Sequence, residues 1–304
     1  MDERGHGPDD NLDGGALVAD LLTRCTFPPS GTPLACAVSG GPDSLALLVL
    51  AVAAGCDVTA IHVDHGLRAG SAREADVVAA AAGRFGARFE ARTVSVEPGP
   101  NLEARARAAR RAALPAGVLT GHTMDDQAET VLLNLLRGAG PDGLAAMAPA
   151  TKPMLGVRRH EVRAMVAAAG VPTLLDPSNL DLSMRRNLVR ARILPELSRV
   201  AARDLVPGLA RQAEIARDVA SYLDEVATAA VPDARDVEAL RRAPAVLRRR
   251  RLRDLARAGD GEHPPSAAEV DRMEAVVLGE VVATELSGGR RLARRRGRLT
   301  LDEG

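Results

Sequence analysis

The chain has 304 residues, a length typical of two domains and sufficient to bury a sizeable core. Its 40 basic and 40 acidic residues give no net charge, so the molecule as a whole is not a polycation. Aromatic residues make up only 1% of the chain, which excludes a face that stacks bases on a row of aromatic rings.

The composition also bears on the compartment. No apolar run reaches the length of a membrane span, and the acidic start of the chain lacks the pattern of a signal peptide. The three cysteines, Cys25, Cys36 and Cys56, form no CxxC pair, which argues against a disulfide framework or a zinc site. We therefore expect a cytoplasmic protein with no membrane partner.

In chain order, residues 1–30 predict an acidic tail and a short helix, and residues 31–200 alternate apolar strands with amphipathic helices. This βαβα series predicts an α/β fold with a doubly wound parallel sheet. The predicted strands are 34–38, 58–63, 89–96 and 116–120, and the predicted helices are 16–25, 43–54, 71–85, 101–113 and 125–136.

Residues 201–304 predict a smaller, mainly helical domain that ends in a small hairpin. Arginine is clustered in four blocks, at 105–111, 185–192, 241–257 and 290–298. Each block alone is typical of a solvated helix face, but four of them on a neutral chain favour an anionic polymer as partner, because guanidinium groups suit phosphates. The predicted helices are 190–217, interrupted at Pro207-Gly208, 217–230, 237–258 and 267–278, and the hairpin lies within 281–301.

The strongest chemical signal is Ser39-Gly-Gly-Pro-Asp-Ser44, where the first strand meets the next helix. Adjacent glycines let the backbone approach an anion, and the N-terminus of the helix faces a phosphate. Asp43 would repel that phosphate, which makes sense if Asp43 holds a magnesium ion. The plainer alternative is a glycine-rich turn with an aspartate at the start of a helix. The predicted phosphate-binding loop consists of Ser39, Gly40, Gly41, Pro42, Asp43 and Ser44, with Pro42 at the first helical position, where its missing N–H costs nothing.

Three further motifs follow later strands or turns. Val63-Asp-His-Gly-Leu-Arg68 stands after the second strand, and Gly121–Thr130 stands after the fourth. Asp126 and Glu129 share one helix face, so with His122 they could bind a cationic nucleophile and take its proton. Capping of the helix by acids is the structural alternative. The remaining motif is Asp176-Pro-Ser-Asn179 followed by Arg186-Asn-Leu-Val-Arg190, which on residue types alone reads equally well as a domain connector.

Taken in order, SGGPDS, VDHGLR, GHTMDDQAETVLLNLLRGAG, DPSN and RRNLVRARILP resemble the tRNA(Ile)-lysidine synthases of the PP-loop ATP pyrophosphatase superfamily. The resemblance runs from about residue 34 to 197; the first motif marks the superfamily, and the longer run is far more specific. Arg111 and Met184 stand where family members usually have an aromatic residue, and Lys152 stands where they tend to have arginine.

The resemblance implies an ATP-dependent ligase that forms a C–N bond. ATP would adenylate the carbon-2 carbonyl oxygen of the wobble cytidine in the tRNA(Ile) with a CAU anticodon, and free L-lysine would displace AMP to give lysidine. ATP and Mg²⁺ are the implied cofactors, tRNA(Ile) and L-lysine are the implied partners, and residues 201–304 are the implied tRNA-binding domain.

The resemblance also implies roles by position. Asp43 would be the magnesium ligand, and Asp126 and Glu129 would hold the lysine ammonium. The remaining implied roles are positioning of ATP or the nucleotide for His122, lining of the nucleotide pocket for His65, and stabilisation of phosphate charge for Arg137 and Arg186.

Two other classes stay open at this stage. One is another PP-loop adenylating enzyme, either a tRNA thiolase or a small-molecule amide synthetase. The other is a non-catalytic RNA-binding module on an old nucleotide fold, against which the intact acidic residues argue. The sequence leaves the oligomeric state open, a homodimer included.

Overall fold

The structure, a computed structural model, describes residues 14–64, 71–95, 102–257 and 265–302. The chain divides into two compact units, Met1–Glu214 and Ile215–Gly304, which are described in turn. No helix within the described residues is both long and apolar enough to cross a membrane.

The first unit alternates strands and helices over most of its length. Its strands are β1 (Pro33–Ala37), β2 (Asp57–Asp64), β3 (Arg88–Thr93) and β4 (Leu119–Thr120). Its helices are α1 (Gly14–Leu22), α2 (Pro42–Ala53), α3 (Ser71–Phe85), α4 (Leu102–Ala112), α5 (Met124–Leu136), α6 (Pro141–Leu144), α7 (Arg159–Ala168), α8 (Arg185–Leu188) and α9 (Leu194–Val200), with a π-helical turn at Val189–Ile193. The helix α10 (Val206–Ala230) begins in this unit and continues into the second.

The four strands form one parallel sheet in the order β3-β2-β1-β4. Strand β1 is central, and Cys36 on it is in register with Leu119 on β4. The segments that follow β1 and β4 therefore leave the same edge of the sheet side by side. The predicted parallel α/β fold is confirmed, although β4 is shorter than the predicted strand 116–120.

Helix α2 lies at the centre of the core. Its residues Leu45 to Ala51 are all buried, because α2 packs on the sheet and also contacts α3 and α7. Each fully buried leucine of this helix contributes roughly 1.5–3 kcal/mol to folding. Helix α7 was absent from the predicted elements, yet Val162, Met165 and Val166 on it belong to the same core.

The start of α2 is also approached by the chain that follows β4. A Cβ atom on Gly121 would lie 2.4 Å from the carbonyl oxygen of Asp43, a distance that no real side chain tolerates. Glycine at this position lets the segment after β4 lie directly against the segment after β1. The third motif of the sequence is thereby placed beside the first.

The second unit is helical with a small antiparallel sheet, as predicted. The helices that follow α10 are α11 (Val237–Arg242), α12 (Ala245–Arg257) and α13 (Ala267–Leu278), and the strands are β5 (Ala283–Glu285), β6 (Arg291–Arg295) and β7 (Arg298–Asp302). Leu252, Met273 and Leu292 are fully buried in a core that is separate from the core of the first unit. The sheet has three strands in the order β5-β6-β7, so the predicted hairpin carries one additional strand.

Two predicted helix boundaries in this part of the chain were wrong. Pro207 does not interrupt a helix but lies in the first turn of α10, where its missing N–H costs nothing; the actual break is at residues 201–205. The predicted helix 237–258 is divided into α11 and α12, because Pro244 cannot continue the hydrogen-bond pattern of a helix.

The close contact at Gly121 yields a first prediction. Gly121→Ala should lower the free energy of unfolding by at least about 2 kcal/mol, because the backbone of Asp43 cannot move aside as a flexible side chain would. Denaturant unfolding of the full chain measures the change. Gly140→Ala is the matched control: a Cβ there meets no atom within 4 Å among the described residues, and the stability should change by less than about 0.5 kcal/mol. Equal effects of the two substitutions would contradict the proposed contact.

Candidate active site

The glycine-rich loop after β1 is shaped by a neighbouring segment of chain. Gly40 has a φ of +83°, and a Cβ on it would lie 2.5 Å from Cδ1 of Leu174. The backbone N–H of Leu174 donates to the carbonyl oxygen of Gly40 at 2.9 Å. Only glycine satisfies both the left-handed conformation and the lack of space, so the loop and residue 174 are fixed together.

The two serines of this loop are linked to each other. The Oγ of Ser44 donates to the carbonyl oxygen of Gly41 at 2.9 Å and accepts from the backbone N–H of Ser39 at 3.1 Å. The two hydroxyl oxygens are 3.2 Å apart. Within the described part of the chain, the N–H groups of Gly40 and Gly41 have no hydrogen-bond partner. The loop thus presents backbone donors at the N-terminus of α2, which is the arrangement that binds phosphates.

Asp43 lies in the first turn of α2 and faces two arginines. Its carboxylate oxygens are 3.5 Å from Nε of Arg159 and 3.4 Å from Nε of Arg163. Burial raises the pKa of Asp43, and the two guanidinium groups only partly offset that effect. Nε of Arg159 is buried and makes no hydrogen bond, so an unsatisfied donor points towards this carboxylate.

Asp126 begins the acidic pair on α5, and its two oxygens have different partners. Oδ2 accepts from the backbone N–H of Thr123 at 2.8 Å and from the Thr123 hydroxyl at 2.9 Å, which caps the N-terminus of α5. Oδ1 faces inward and accepts from Arg159 at 2.7 Å. The sequence left open whether Asp126 caps a helix or belongs to a binding site. In the structure one of its oxygens caps α5 and the other faces the site.

Glu129, one turn further along α5, is completely buried among arginines. Its Oε1 accepts from Arg159 at 2.9 Å and from Nε of Arg190 at 2.7 Å. Its Oε2 accepts from Arg186 at 2.9 Å and from Nη2 of Arg190 at 3.0 Å. We call Asp126, Glu129, Arg159, Arg186 and Arg190 the charge cluster.

The electrostatics of the charge cluster follow from burial and pairing. Burial alone would raise the pKa of Asp126, but Arg159, the Thr123 N–H and Arg186 outweigh burial and hold that pKa below its usual value. Burial opposes the charge on Arg159 as well, and the two carboxylates reverse the effect, so its pKa is raised. Removing Arg159 would take away the buried cation that both carboxylates share, at a cost of roughly 3–5 kcal/mol.

The arginines of the cluster differ in their exposure. The side chain of Arg159 is 10% exposed, whereas those of Arg186 and Arg190 are 29% and 28% exposed. Arg186 lies in α8 and Arg190 lies in the π-helical turn that follows, a local geometry often found at functional sites. The structure thus has one buried cation between the two acids and two cations that reach solvent.

The structure brings together most of the predicted site residues, but not all of them. Asp43, Asp126, Glu129 and Arg186 lie within one set of ion pairs. Nδ1 of His122 is 2.8 Å from the Thr120 hydroxyl, at the end of β4 that leads into α5, and His122 helps to lower the pKa of Asp126.

One further predicted residue, Arg137, is not part of this arrangement. Arg137 follows the last residue of α5, roughly 16 Å along the helix axis from Asp126, where it is exposed and donates to Asn134. The structure does not bring Arg137 to the charge cluster. His65 lies outside the described residues.

Sequence reasoning missed Arg159 entirely and treated Arg190 only as part of a basic run. A local signal existed for Arg159: it is the first residue of α7, and a cation at a helix N-terminus is opposed by the helix dipole. The neighbouring Asp125 explains how that position is tolerated, because it accepts from the Arg159 N–H at 2.8 Å and pairs with Arg158 at 3.1 Å.

Comparisons with known proteins give consistent results. A family profile described as the PP-loop domain matches residues 18–197. The chain is 40% identical over 298 residues to a tRNA(Ile)-lysidine synthase of Nocardia farcinica, covering 90% of this chain and 93% of that protein. It is 41% identical to a tRNA(Ile)-lysidine synthase of Salinispora arenicola, covering 91% and 92%.

Among solved structures, the chain is similar to the U34-tRNA thiolase NcsA from Methanococcus maripaludis with its 4Fe-4S cluster. The TM-score is 0.52 and the sequence identity is 17%, with 67% of this chain and 78% of that chain covered. At this identity the likeness shows a shared fold and nothing more.

The raised pKa of Asp43 leads to a second prediction. The folded state holds the Asp43 proton more tightly than the unfolded chain does, so this contribution to stability is present below the unfolded value of 3.8. It is lost as the pH rises through the raised value, and at pH 7 the carboxylate is a net cost to the fold. Asp43→Asn should therefore raise the midpoint of thermal unfolding by a few degrees at pH 7, and the difference should shrink towards pH 4.

Asp57→Asn is the control for this measurement, because Asp57 lies on the surface in an exposed pair with Arg88 and contributes little. Its midpoint at pH 7 should stay close to that of the unsubstituted protein. A lower midpoint for Asp43→Asn at pH 7 would contradict the assignment.

Proposed function

The chain belongs to the tRNA(Ile)-lysidine synthases, and we propose that it catalyses their reaction. It ligates free L-lysine to carbon-2 of the wobble cytidine in the tRNA(Ile) with a CAU anticodon, and it uses ATP through an adenylated cytidine. The observation that carries this proposal is that a phosphate-binding loop and a buried pair of carboxylates face each other across Asp43 and Arg159. The proposed compartment is the cytoplasm.

ATP binds at the glycine-rich loop. The N–H groups of Gly40 and Gly41 and the N-terminus of α2 hold the phosphates, and the hydroxyls of Ser39 and Ser44 are close enough to share them. The donors are fixed before the nucleotide arrives, so they do not have to reorganise when charge develops on the phosphate oxygens.

Magnesium is the proposed metal, and Asp43 is the residue that would hold it. The described residues contain no group of three or more histidine, cysteine, aspartate or glutamate side chains that could hold a metal alone. One carboxylate nevertheless fits, because Mg²⁺ is usually bound by one or two carboxylates together with substrate phosphates. When bound, the ion neutralises the negative charge of those phosphates.

Lysine binds on the other side of Arg159. Asp126 and Glu129 hold its side-chain ammonium, which takes the position of a guanidinium that now contacts Glu129. Arg186 and Arg190 are the partly exposed cations of the cluster, and once the lysine ammonium takes their place at Glu129 they turn towards phosphate oxygens of the anionic substrates. His122 positions the nucleotide at the end of β4.

A cleft of about 230 Å³ adjoins the charge cluster and suits the rest of the lysine molecule. Its lining carries both signs of charge, from Glu129 and Asp204 on one hand and from Arg158 and Arg190 on the other. A free amino acid carries both an ammonium and a carboxylate at its α-carbon, and paired charges of this kind match it.

The rival readings find less support. A tRNA thiolase needs reactive cysteines, but burial raises the pKa of Cys36 to about 12 and disfavours its thiolate. Cys25, Cys36 and Cys56 are all free and form no metal-holding group among the described residues. A non-catalytic RNA-binding module would not need two buried carboxylates matched by three arginines.

The second unit is the proposed tRNA-binding part, but its arginines are not equivalent. Much of the run 241–257 is engaged inside the unit: Arg250 is 6% exposed and pairs with Asp224 at 2.6 Å, and Arg248 pairs with Glu274 at 2.6 Å. By contrast, Arg295 and Arg296 are exposed at the β6–β7 turn and have no ion-pair partner within the described part of the chain. The turn is therefore the better candidate for contact with tRNA phosphates.

The central test supplies ATP, magnesium, labelled lysine and transcripts of both tRNAs that carry a CAU anticodon. We expect label on the isoleucine transcript and none on the methionine transcript, with a loss of at least about a hundredfold in Asp43→Ala. Release of pyrophosphate only with another acceptor would support adenylation by ATP but contradict tRNA(Ile) as the substrate. Absence of any ATP turnover would overturn the proposed enzyme.

The exposed turn gives a separate prediction. Arg295→Gln combined with Arg296→Gln should raise the KM for tRNA roughly tenfold and reduce the salt slope of tRNA binding by about 2, with the KM for ATP unchanged. Arg250→Gln is the contrasting control, because it breaks a buried ion pair and should lower the unfolding temperature instead. An unchanged salt slope in the double variant would exclude the turn from tRNA binding.

A further inference from the structure

The segment that leads into the charge cluster exposes an unusual amount of apolar surface. Five large apolar side chains within 14 residues are exposed to solvent. Because burial is what stabilises large aliphatic groups, these side chains contribute little to folding in this position. We call them the apolar loop surface. They are Leu175 at 86% exposure, Leu180 at 83%, Leu182 at 38%, Met184 at 37% and Leu188 at 38%.

This surface is held in place by hydrogen bonds. The side chain of Asp176 accepts from the backbone N–H of Ser178 at 2.9 Å and from its hydroxyl at 2.8 Å. The buried amide of Asn187 donates to the carbonyl oxygens of Ser178 and Asp181 at 2.8 and 2.9 Å. The exposed side chains are therefore presented on an ordered backbone, which lowers the entropy lost when a partner binds.

Both ends of the segment are joined to the candidate active site. Leu174 donates to Gly40 in the phosphate loop, and Arg186 donates to Glu129 in the charge cluster. The apolar loop surface consequently borders the place where the reacting base must lie.

Charges of both signs lie on this segment. Asp176 and Asp181 are exposed and accept hydrogen bonds from Ser178 and Ser183. Arg185 and Arg192 are exposed, and neither has an ion-pair partner within the described residues. Apolar faces next to unpaired guanidinium groups match a single-stranded nucleic acid, which presents base faces beside phosphates.

We propose that the apolar loop surface receives the unstacked anticodon-loop bases of the substrate tRNA; this inference rests on the proposed function. A base that is to be modified has to leave its stack, and enzymes hold such bases against aromatic or apolar side chains. This chain has no tryptophan, one tyrosine and three phenylalanines, so aliphatic side chains take that place here.

The absence of tryptophan makes a direct test available. Leu180→Trp introduces the only tryptophan in the protein, and a base that stacks on it should quench its fluorescence. Titration with an anticodon stem-loop RNA should give saturable quenching. Val200→Trp is the matched control, since Val200 is 71% exposed at the end of α9 and should show no saturable change. Equal responses of the two variants, or no response of Leu180→Trp, would overturn the proposal.

A second variant tests the surface without a probe. Leu175→Ser combined with Leu180→Ser should weaken stem-loop binding about tenfold or more and leave the KM for ATP unchanged, whereas Val200→Ser should alter neither. If the double variant binds the stem-loop as tightly as the unsubstituted protein, the proposal is wrong. Fluorescence of Leu180→Trp that depends on protein concentration without RNA would instead identify a contact between two copies, and it would overturn the proposal.

The outcomes also separate this inference from the proposed function. Saturable quenching without lysine transfer by the unsubstituted protein would overturn the reaction and keep the surface as an RNA contact. Lysine transfer by the unsubstituted protein without quenching in Leu180→Trp would support the proposed reaction and overturn the proposed RNA contact of the apolar loop surface.

Discussion

Two buried carboxylates have to be neutralised by cations, and this requirement organises the first unit. Asp126 and Glu129 are fixed on α5, while the guanidiniums that meet them come from the start of α7 and from the segment 186–190. An isolated carboxylate in such a place would cost several kcal/mol, so the later segments cannot pack elsewhere without leaving the acids unpaired. Arginine suits this task because its planar fork can meet two carboxylates at once.

Close backbone contacts, in addition to the ion pairs, hold the segments of the site together. Gly121 brings the chain after β4 against the first turn of α2, and Gly40 lets Leu174 lie on the phosphate loop. A side chain at Gly121 would meet backbone, and the positive φ of Gly40 disfavours any residue but glycine. Three segments that are distant in sequence therefore meet at the carboxyl edge of a parallel sheet, which is where ligands bind in folds of this kind.

These contacts also explain which parts of the fold and of the site could be predicted from the sequence. The parallel sheet and the phosphate loop were predictable, because strand, glycines, hydroxyls and helix start coincide within ten residues and act locally. The acidic pair was predictable from its spacing on one helix face. Arg159 was not, because its partners on α5 lie about 30 residues earlier and its place at a helix N-terminus does not indicate which acids it meets. Arg137 follows a recognisable motif, yet the length of α5 carries it away from the cluster.

The hydrogen bond between Leu174 and Gly40 has a mechanical consequence. The segment that begins at this bond ends at Arg186, which is held by Glu129, so one short and internally braced stretch of chain is attached to both the nucleotide loop and the acidic pair. A displacement of the loop would therefore also shift the arginines at the other end of that brace. Adenylation and the attack by lysine would then depend on the same segment of chain, so the order of the two steps would require no separate domain.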